Sequence, residues 1–446
     1  MKVLKFGGTS IKNADLIRKV AQIISANDEN CIVVFSACAT ITDLLSEIGS
    51  SFKKHNETEA LKLFEQIFAF HLDLIEKLEI EQKHKNQIIA KLNRLKTLIP
   101  ALAVLGDSTP RSLDIILGFG EDLSRMLISF YLLEQNLPLI TVDPRSFMKT
   151  DSNHAAANLL MEESSSSFKG IFATEANSVK YYITSGFIGK SKNDDTTTLG
   201  RGGSDYTASI LASVLNARCL EIWTDVSGIM SCDPRLVDNV HPIKKLTYSE
   251  AAELAFFGAR ILHPKTIRPA VKKEIPVYIK NTFNPDSAGT VVCPVKNPQQ
   301  RVKAVAFQKN ITVINIYSDN MLGAFGFLEQ IFSVFTKHCV PVDLITTSEV
   351  NVSVTVDGNQ NTDDLLEDLS RFSEVTVETH KAMISVIGEG LKNTSGISAR
   401  FFGVLKGINV LMVSVGASEV NLSIIVDDKD MVEAVKLLHE EFFPKL

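Results

Sequence analysis

Short apolar runs punctuate the first two-thirds of the chain: Val3 to Phe6, Cys31 to Phe35, Leu139 to Val142, Tyr181 to Ile188, Leu220 to Thr224 and Pro276 to Lys280. Bounded by polar and turn residues, they read as buried strands. Stretches of helical period, such as Ala14 to Ser25 and Tyr206 to Ala217, lie between them. That alternation predicts an α/β fold, a layered α/β/α domain with a mostly parallel sheet. From Thr58 to Leu98 the apolar positions Leu61, Phe64, Ile67, Phe68, His71, Leu74, Ile75 and Leu78, then Ile88, Leu92 and Leu95, keep helical spacing. This predicts an amphipathic helical pair packed on the sheet.

The pattern breaks at Asn297-Pro-Gln-Gln300, which reads as a linker. Beyond it the sequence repeats. Ser348-Glu-Val-Asn-Val-Ser-Val-Thr-Val-Asp357 returns 70 residues later as Ser418-Glu-Val-Asn-Leu-Ser-Ile-Ile-Val-Asp427, and the same offset pairs Gly326 with Gly396, Phe332 with Phe402 and Val340 with Val410. Each copy reads strand, glycine loop, helix, strand, turn, strand, with first strands at Ile311 to Tyr317 and Ala382 to Ile387. Two copies are too few for a solenoid and fit a paired regulatory unit. The expected domains are residues 1–296, 301–381 and 382–446, with the 301–310 strand open to sharing by the last.

Composition narrows the function. The 446 residues are 45% hydrophobic and 22% charged, as in folded globular proteins, and 46 Lys and Arg stand against 52 Asp and Glu. A net charge of −6 argues against nucleic acid or an anionic membrane as the main partner. No run approaches the roughly 20 apolar residues of a membrane span, and the N-terminal run, cut by Lys5 and Gly7, is too short for a signal-peptide core. Six scattered cysteines without a Cys-x-x-Cys pair indicate neither a zinc site nor a disulfide scaffold, so the expected compartment is the cytoplasm.

Three segments carry candidate chemistry. Lys5-Phe-Gly-Gly-Thr-Ser10 ends the first strand; paired glycines let backbone N–H groups approach an anion, and Lys5 adds a compact positive charge. It matches neither Gly-x-Gly-x-x-Gly nor a P-loop. Thr196-Thr-Thr-Leu-Gly-Arg-Gly-Gly-Ser-Asp205-Tyr-Thr opens a helix, where Arg201 can hold a carboxylate and Asp205 can stand near a reacting oxygen. A glycine turn with a Ser/Asp cap explains the same segment except for Arg201. The third, Ile222-Trp-Thr-Asp-Val-Ser-Gly-Ile-Met-Ser-Cys-Asp-Pro-Arg235, leaves another strand in polar residues. Open parallel sheets bind ligands beyond the carboxyl ends of their strands, so the three predict one crevice.

Together with Ser36-Ala-Cys-Ala-Thr-Ile-Thr42, Gly120-Glu121, Gly186-Phe-Ile-Gly189 and Phe257-Gly-Ala-Arg-Ile-Leu-His-Pro264, these segments resemble the aspartate kinase family, in the family's order and over nearly the whole chain. The monofunctional lysine-sensitive type is the nearest likeness. The resemblance implies an amino-acid kinase domain followed by tandem ACT-like, ferredoxin-like α+β regulatory domains. It implies transfer of the ATP γ-phosphoryl group to the side-chain carboxylate of L-aspartate, giving 4-phospho-L-aspartate on the way to lysine, threonine and methionine.

Carried onto this sequence, the family pattern puts Lys5 and Asp205 at the transferring phosphate and Thr42, Glu121, Arg201, Gly202, Gly203 and Ser204 around aspartate. Arg201 would grip the α-carboxylate and Glu121 face the ammonium. Lys5, Phe6, Gly7, Gly8, Thr224, Asp225, Met230, Arg235, Arg260 and Ile261 would surround ATP. A carboxylate nucleophile is ionised at pH 7, so no base is required. Mg²⁺ is expected on the phosphates, without an identified protein ligand. Met321, Gly323, Ala324, Gly326, Leu328, Asp343, Ser348 and Glu349 would form a lysine effector site, and a homodimer or dimer of dimers is implied.

Four residues depart from the family pattern: Met230 replaces Tyr, Arg260 replaces Lys, and Gly323 and Ala324 replace His and Ser found in some relatives. The competing readings are a kinase for glutamate or N-acetylglutamate and a non-catalytic amino-acid sensor. His71 and His263 are expected to pack or cap, and Ser164 to Ser167 to form a surface loop.

Overall fold

The computed structural model describes residues 1–172, 179–257, 263–294, 302–323 and 325–444. The chain divides into two units, Met1–Ile229 with Ile261–Pro294, and Met230–Arg260 with Val295–Leu446. The linker expected at Asn297 to Gln300 lies outside the described residues.

The first unit opens with β1 (Lys2–Phe6), α1 (Ala14–Ser25), β2 (Cys31–Phe35), α2 (Ile41–Phe52), α3 (Glu57–Lys77), α4 (Gln82–Leu105) and α5 (Pro110–Glu134). It continues through β3 (Leu139–Thr141), β4 (Lys149–Thr150), α6 (Met161–Phe172), β5 (Tyr181–Ser185), β6 (Ile188–Ser191), β7 (Thr196–Thr198), α7 (Gly203–Val214) and β8 (Leu220–Thr224). The chain then enters the second unit for β9 (Lys245–Leu246) and α8 (Tyr248–Phe256), and returns for α9 (Pro264–Lys272), β10 (Val277–Asn281) and β11 (Thr290–Val292). Strands of the first unit lie in the order β3-β5-β2-β1-β8-β10-β11, parallel until β11 turns back on β10. A parallel sheet covered on both faces needs continuous apolar strands, and all five residues of β2 are buried. The predicted helical pair is α3 and α4. His71 is buried on α3, its Nδ1 2.8 Å from the Ile67 carbonyl, and burial lowers its pKa to about 4. His263 caps α9, accepting from the Lys265 N–H.

Two sequence expectations need correction. The run from Tyr181 to Ile188 is two strands: Phe187 takes φ 67°, and β6 leaves for a small sheet with β4 and β7. Ser164 to Ser167 are helical, within α6. Ser164, Phe168 and Phe172 share one buried face, and Ser164 Oγ accepts from the Lys149 N–H at 3.1 Å, so packing overrides weak helix propensity.

In the second unit, β12 (Ala304–Tyr317), α10 (Phe327–Lys337), β13 (Ile345–Thr347), β14 (Asn351–Asp357), α11 (Asp363–Ser370), β15 (Glu374–Ile387), α12 (Ile397–Gly403), β16 (Met412–Val415), β17 (Asn421–Asp427) and α13 (Met431–Phe442) follow. The repeat is visible in the geometry: Gly326 and Gly396 cap α10 and α12 at φ 86° and 80°, and β14 and β17 lie at the 70-residue offset. One antiparallel sheet, β13-β14-β12-β15-β17-β16, runs through both copies. Ile311–Tyr317 pairs with β14 and, across a register shift, with Glu374–Lys381, whereas Ala304–Gln308 pairs with Met383–Ile387, alongside β17. The segment before the first copy thus supplies an edge of the second, and Val305 sits in the core with Ile384 and Ile424.

Candidate active site and effector groove

At the carboxyl end of β1, Lys5 Nζ pairs with Asp205 Oδ1 at 2.7 Å, both side chains largely buried. Asp205 stands in the first turn of α7, so the pair ties the central strand to a helix N-terminus. Three glycines make this proximity possible. A Cβ on Gly8 would lie 2.7 Å from the Ala37 carbonyl oxygen, one on Gly186 2.5 Å from Ser204 Cα, and one on Gly203 2.8 Å from the Phe187 ring. Gly7 donates to the Trp223 carbonyl at 3.1 Å and Gly186 to the Phe35 carbonyl at 3.0 Å, so the ends of β1, β8, β2 and β5 are stitched together.

Ala37 is the next knot. Its N–H donates to Glu121 Oε1 at 3.3 Å, and Gly120 lets α5 press against it. Glu121 is 3% exposed, and its Oε2 has no partner among the described residues. Burial pushes its carboxyl up to about 8, against the smaller lowering effect of the Ala37 N–H. A buried carboxyl oxygen of this kind is open to a hydrogen-bond donor or a cation. Thr42 lies half-buried in the first turn of α2, which starts after Thr40 at φ 69°.

The glycine loop between β7 and α7 places Gly200 and Gly202 at φ 74° and 73°, which glycine adopts without steric cost. Gly202 caps α7, Gly203 and Ser204 are buried in its first turn, and Arg201 projects into solvent. Among the described residues, the Arg201 guanidinium has no ion-pair partner. A free guanidinium beside helix-terminal N–H groups suits a carboxylate or phosphate.

Of the residues expected around a nucleotide, Phe6 is buried in β1, stacked between Phe35 and Trp223. Thr224 ends β8, and its hydroxyl donates to Oδ1 of the next residue, Asp225, at 3.0 Å. Met230 and Arg235 belong to the second unit. There Met230 bridges Pro242, and Arg235, 86% exposed, pairs with Asp233 at 2.6 Å. Arg260 and Ile261 lie outside the described residues. One His/carboxylate group, Glu81, His84 and Glu134, has ligand atoms within 4.8 Å of one another, but His84 Nδ1 already contacts Glu134 Oε1 at 2.6 Å, which an ordinary ion pair explains.

The second unit contains a groove of about 590 Å³ lined by Met321, Gly323, Gly326, Phe327, Leu328, Thr347, Ser348 and Glu349. Six of the residues expected to hold an effector are therefore together. Asp343 is not among the lining residues; burial and the nearby Asp357 raise its carboxyl to about 6. Ala324 lies outside the described residues.

Sequence reasoning missed the acids that brace the site. Asp122, 2% exposed, contacts Lys91 at 2.6 Å, Arg145 at 2.9 Å and Arg125 at 3.1 Å. Burial opposes its ionisation, but the Arg145 and Lys91 charges win and hold its carboxyl near 2. Asp114 is fully buried on the same helix. The available signal was the presence of Asp114, Glu121 and Asp122 in an otherwise apolar helical stretch.

The sequence pattern of the amino acid kinase family matches residues 1–281, and that of an ACT domain matches 314–363 and 384–442. The chain is 35% identical over 452 residues to lysine-sensitive aspartokinase 3 of Escherichia coli, covering 99% of each. The crystal structure of E. coli aspartokinase III with aspartate and ADP, in the R-state, aligns with a TM-score of 0.84 at 34% identity, over 99% of this chain and 100% of that one. The same enzyme with lysine and aspartate, in the T-state, aligns at 0.83 and 35%, over 99% of each chain.

Proposed function

Because the chain belongs to the aspartokinase family, within the amino acid kinases, we propose that it transfers the γ-phosphoryl group of ATP to the side-chain carboxylate of L-aspartate, giving 4-phospho-L-aspartate and ADP. The observation that carries this reading is the buried, incompletely bonded Glu121, knit through Ala37 to the Lys5 strand end. It supplies an ammonium-seeking acceptor beside an anion-binding cluster.

In this reading Arg201 holds the α-carboxylate, Glu121 takes the ammonium, and Thr42, Gly202, Gly203 and Ser204 complete the seat. The free β-carboxylate oxygen attacks the γ-phosphorus, and the bond to the bridging oxygen of ADP breaks. Lys5 neutralises charge on the transferring group, with Gly7 and Gly8 as backbone donors; Asp205 orients Lys5 and takes no proton. Thr224, Asp225, Met230, Arg235, Arg260 and Ile261 serve the nucleotide. Mg²⁺ accompanies the phosphates and offsets their charge. We assign the ion no dedicated protein ligand.

Lysine is the effector of the groove, with Ser348 and Glu349 on its wall and Asp343 as a further acid of the same copy. Binding there must favour one of two arrangements of the enzyme, because equal affinity for both shifts nothing. The domains in this reading are residues 1–296, 301–381 and 382–446, and the enzyme works in the cytoplasm as a homodimer or dimer of dimers. Among the described residues no helix is long and apolar enough to cross a membrane. The test is ADP release from Mg-ATP with aspartate, glutamate and N-acetylglutamate. Turnover with aspartate alone supports the reading, and preference for either alternative overturns it.

A further inference from the structure

Two turns before Glu121 on α5, Asp114 is fully buried and heavily bonded. Its Oδ1 accepts from Thr198 Oγ1 at 2.5 Å and from the Ala155 N–H at 3.1 Å; its Oδ2 lies 2.7 Å from His154 Nδ1 and 3.2 Å from the same Ala155 N–H. Ala155 takes φ 68°, a conformation costly for alanine that persists only where neighbours fix it. Thr198 is the last residue of β7, and its carbonyl accepts from the Ala157 N–H at 2.9 Å. Gly200 packs on the Ala155 carbonyl, where a Cβ would stand 3.2 Å away. The 153–157 turn and the start of the Gly-Arg-Gly-Gly loop are thus held by one carboxylate. At the other end of β7, Thr196 Oγ1 accepts from Arg145 Nε at 2.9 Å, and Arg145 is anchored on Asp122. The short strand leading to Arg201 is suspended between two buried acids of the helix that also carries Glu121.

We propose that Asp114 is a positioning residue for the aspartate seat: through Thr198 and Ala155 it holds the Arg201 loop in place against α5, and so matches the carboxylate-binding side to the ammonium-binding side. This rests on the assignment of Arg201 and Glu121 to aspartate. Asp114 touches neither substrate, so its loss acts through placement. Asparagine at this position replaces one acceptor oxygen by an NH₂ group facing Thr198 or His154, so at least one of these hydrogen bonds must be reorganised. Aspartate reads that displacement and ATP does not.

The experiment compares steady-state kinetics of the full-length enzyme carrying Asp114→Asn, Thr198→Val, Thr198→Ser or Arg201→Ala, with the active fraction counted by tight binding of a nucleotide analogue and the thermal midpoint recorded. We expect the aspartate KM to rise at least tenfold in Asp114→Asn and three- to tenfold in Thr198→Val, with ATP KM within twofold and Thr198→Ser restored to near wild type. A purely structural role would lower the active fraction and the midpoint and leave the aspartate KM alone. Thr198→Val carries the test if Asp114→Asn does not fold. Unchanged aspartate KM in Thr198→Val, while Arg201→Ala raises it, overturns the proposal. Unchanged KM in Arg201→Ala overturns the assignment of Arg201, and this inference with it.

Discussion

Glycines serve opposite purposes in the crevice of the first unit and in the groove of the second. Gly8, Gly186 and Gly203 are crowded, each with atoms under 3 Å from where a Cβ would stand. Gly323 and Gly326 have nothing within 4 Å and are needed for φ 67° and 86°. The crevice is made by pressing backbone against backbone, which fixes its donors before substrate arrives. The groove is an open turn flanked by exposed Leu328, and a ligand must complete it. A preorganised site suits stabilisation of a transition state, and an open one suits a ligand that selects between states.

The repeat sharpens the contrast inside the second unit. Where Ser348 of the first copy lines the groove, its counterpart Ser418 in the second copy, with Asn421, is already bonded to Glu253 of α8, at 3.2 Å and 2.6 Å. Glu250 of the same helix accepts from the Glu389 N–H at 2.9 Å. The chain fills with its own carboxylates the place that its first copy leaves open, so one effector site per chain is expected.

Lys5→Ala attacks the preorganised site at its charge and should have the largest effect, a loss of about 10²–10³ in kcat with aspartate binding little changed; a variant keeping half the wild-type kcat removes Lys5 from the mechanism. Arg201→Ala should raise the aspartate KM roughly 10- to 100-fold, since hydrogen bonds to charged groups contribute about 1.5–3 kcal/mol, and a change confined to the ATP KM would contradict it. In the groove, Glu349→Ala should weaken lysine inhibition by roughly tenfold, the worth of one charge-assisted contact, and Asp343→Ala less, while basal activity persists. Glu253→Gln on α8, which faces the second copy, should leave the lysine response alone, and an altered response there would break the contrast between the copies.

Protons provide a further test. Glu121 has a pKa raised from 4.5 to about 8, so its stabilising contribution is complete below 4.5 and disappears as pH climbs through 8. Glu121→Gln should therefore melt higher than wild type above pH 8 and match it in acid. Aspartate's ammonium should ionise Glu121, so binding at pH 7 releases about one proton, measured as a buffer-dependent binding enthalpy; no buffer dependence would place the ammonium elsewhere. Gly326→Ala should cost about 1–2 kcal/mol of stability through strain at a positive φ, with kcat unchanged.

The apolar runs announced the parallel sheet because strands buried on both faces must be continuously apolar. The 70-residue repeat announced two copies because each must build the same half-sheet. A strand within 301–310 was expected to be open to the second copy, but local pattern could not show contact between elements far apart in sequence, such as Glu253 seated on Ser418. In the crevice, Lys5 and the Gly-Arg-Gly-Gly loop stood out in the sequence because a glycine turn with a cap accounts for everything in the loop except Arg201. Asp114 and Asp122 were not, since a buried acid becomes meaningful only when its partners on other elements, Thr198, Arg145 and Lys91, are known. Ser164 misled because a serine run looks solvated until Phe168 and Phe172 are seen to bury the same face.

The central claim is that the side-chain carboxylate of aspartate is phosphorylated while Arg201 and Glu121 hold its other two charged groups. It is tested most directly by running the reaction with Mg-ATP and aspartate in hydroxylamine, which traps an acyl phosphate as its hydroxamate, and identifying the product by chromatography and mass spectrometry. The account predicts β-aspartyl hydroxamate in amounts equal to the ADP formed. The α-isomer, or ADP without hydroxamate, would contradict it.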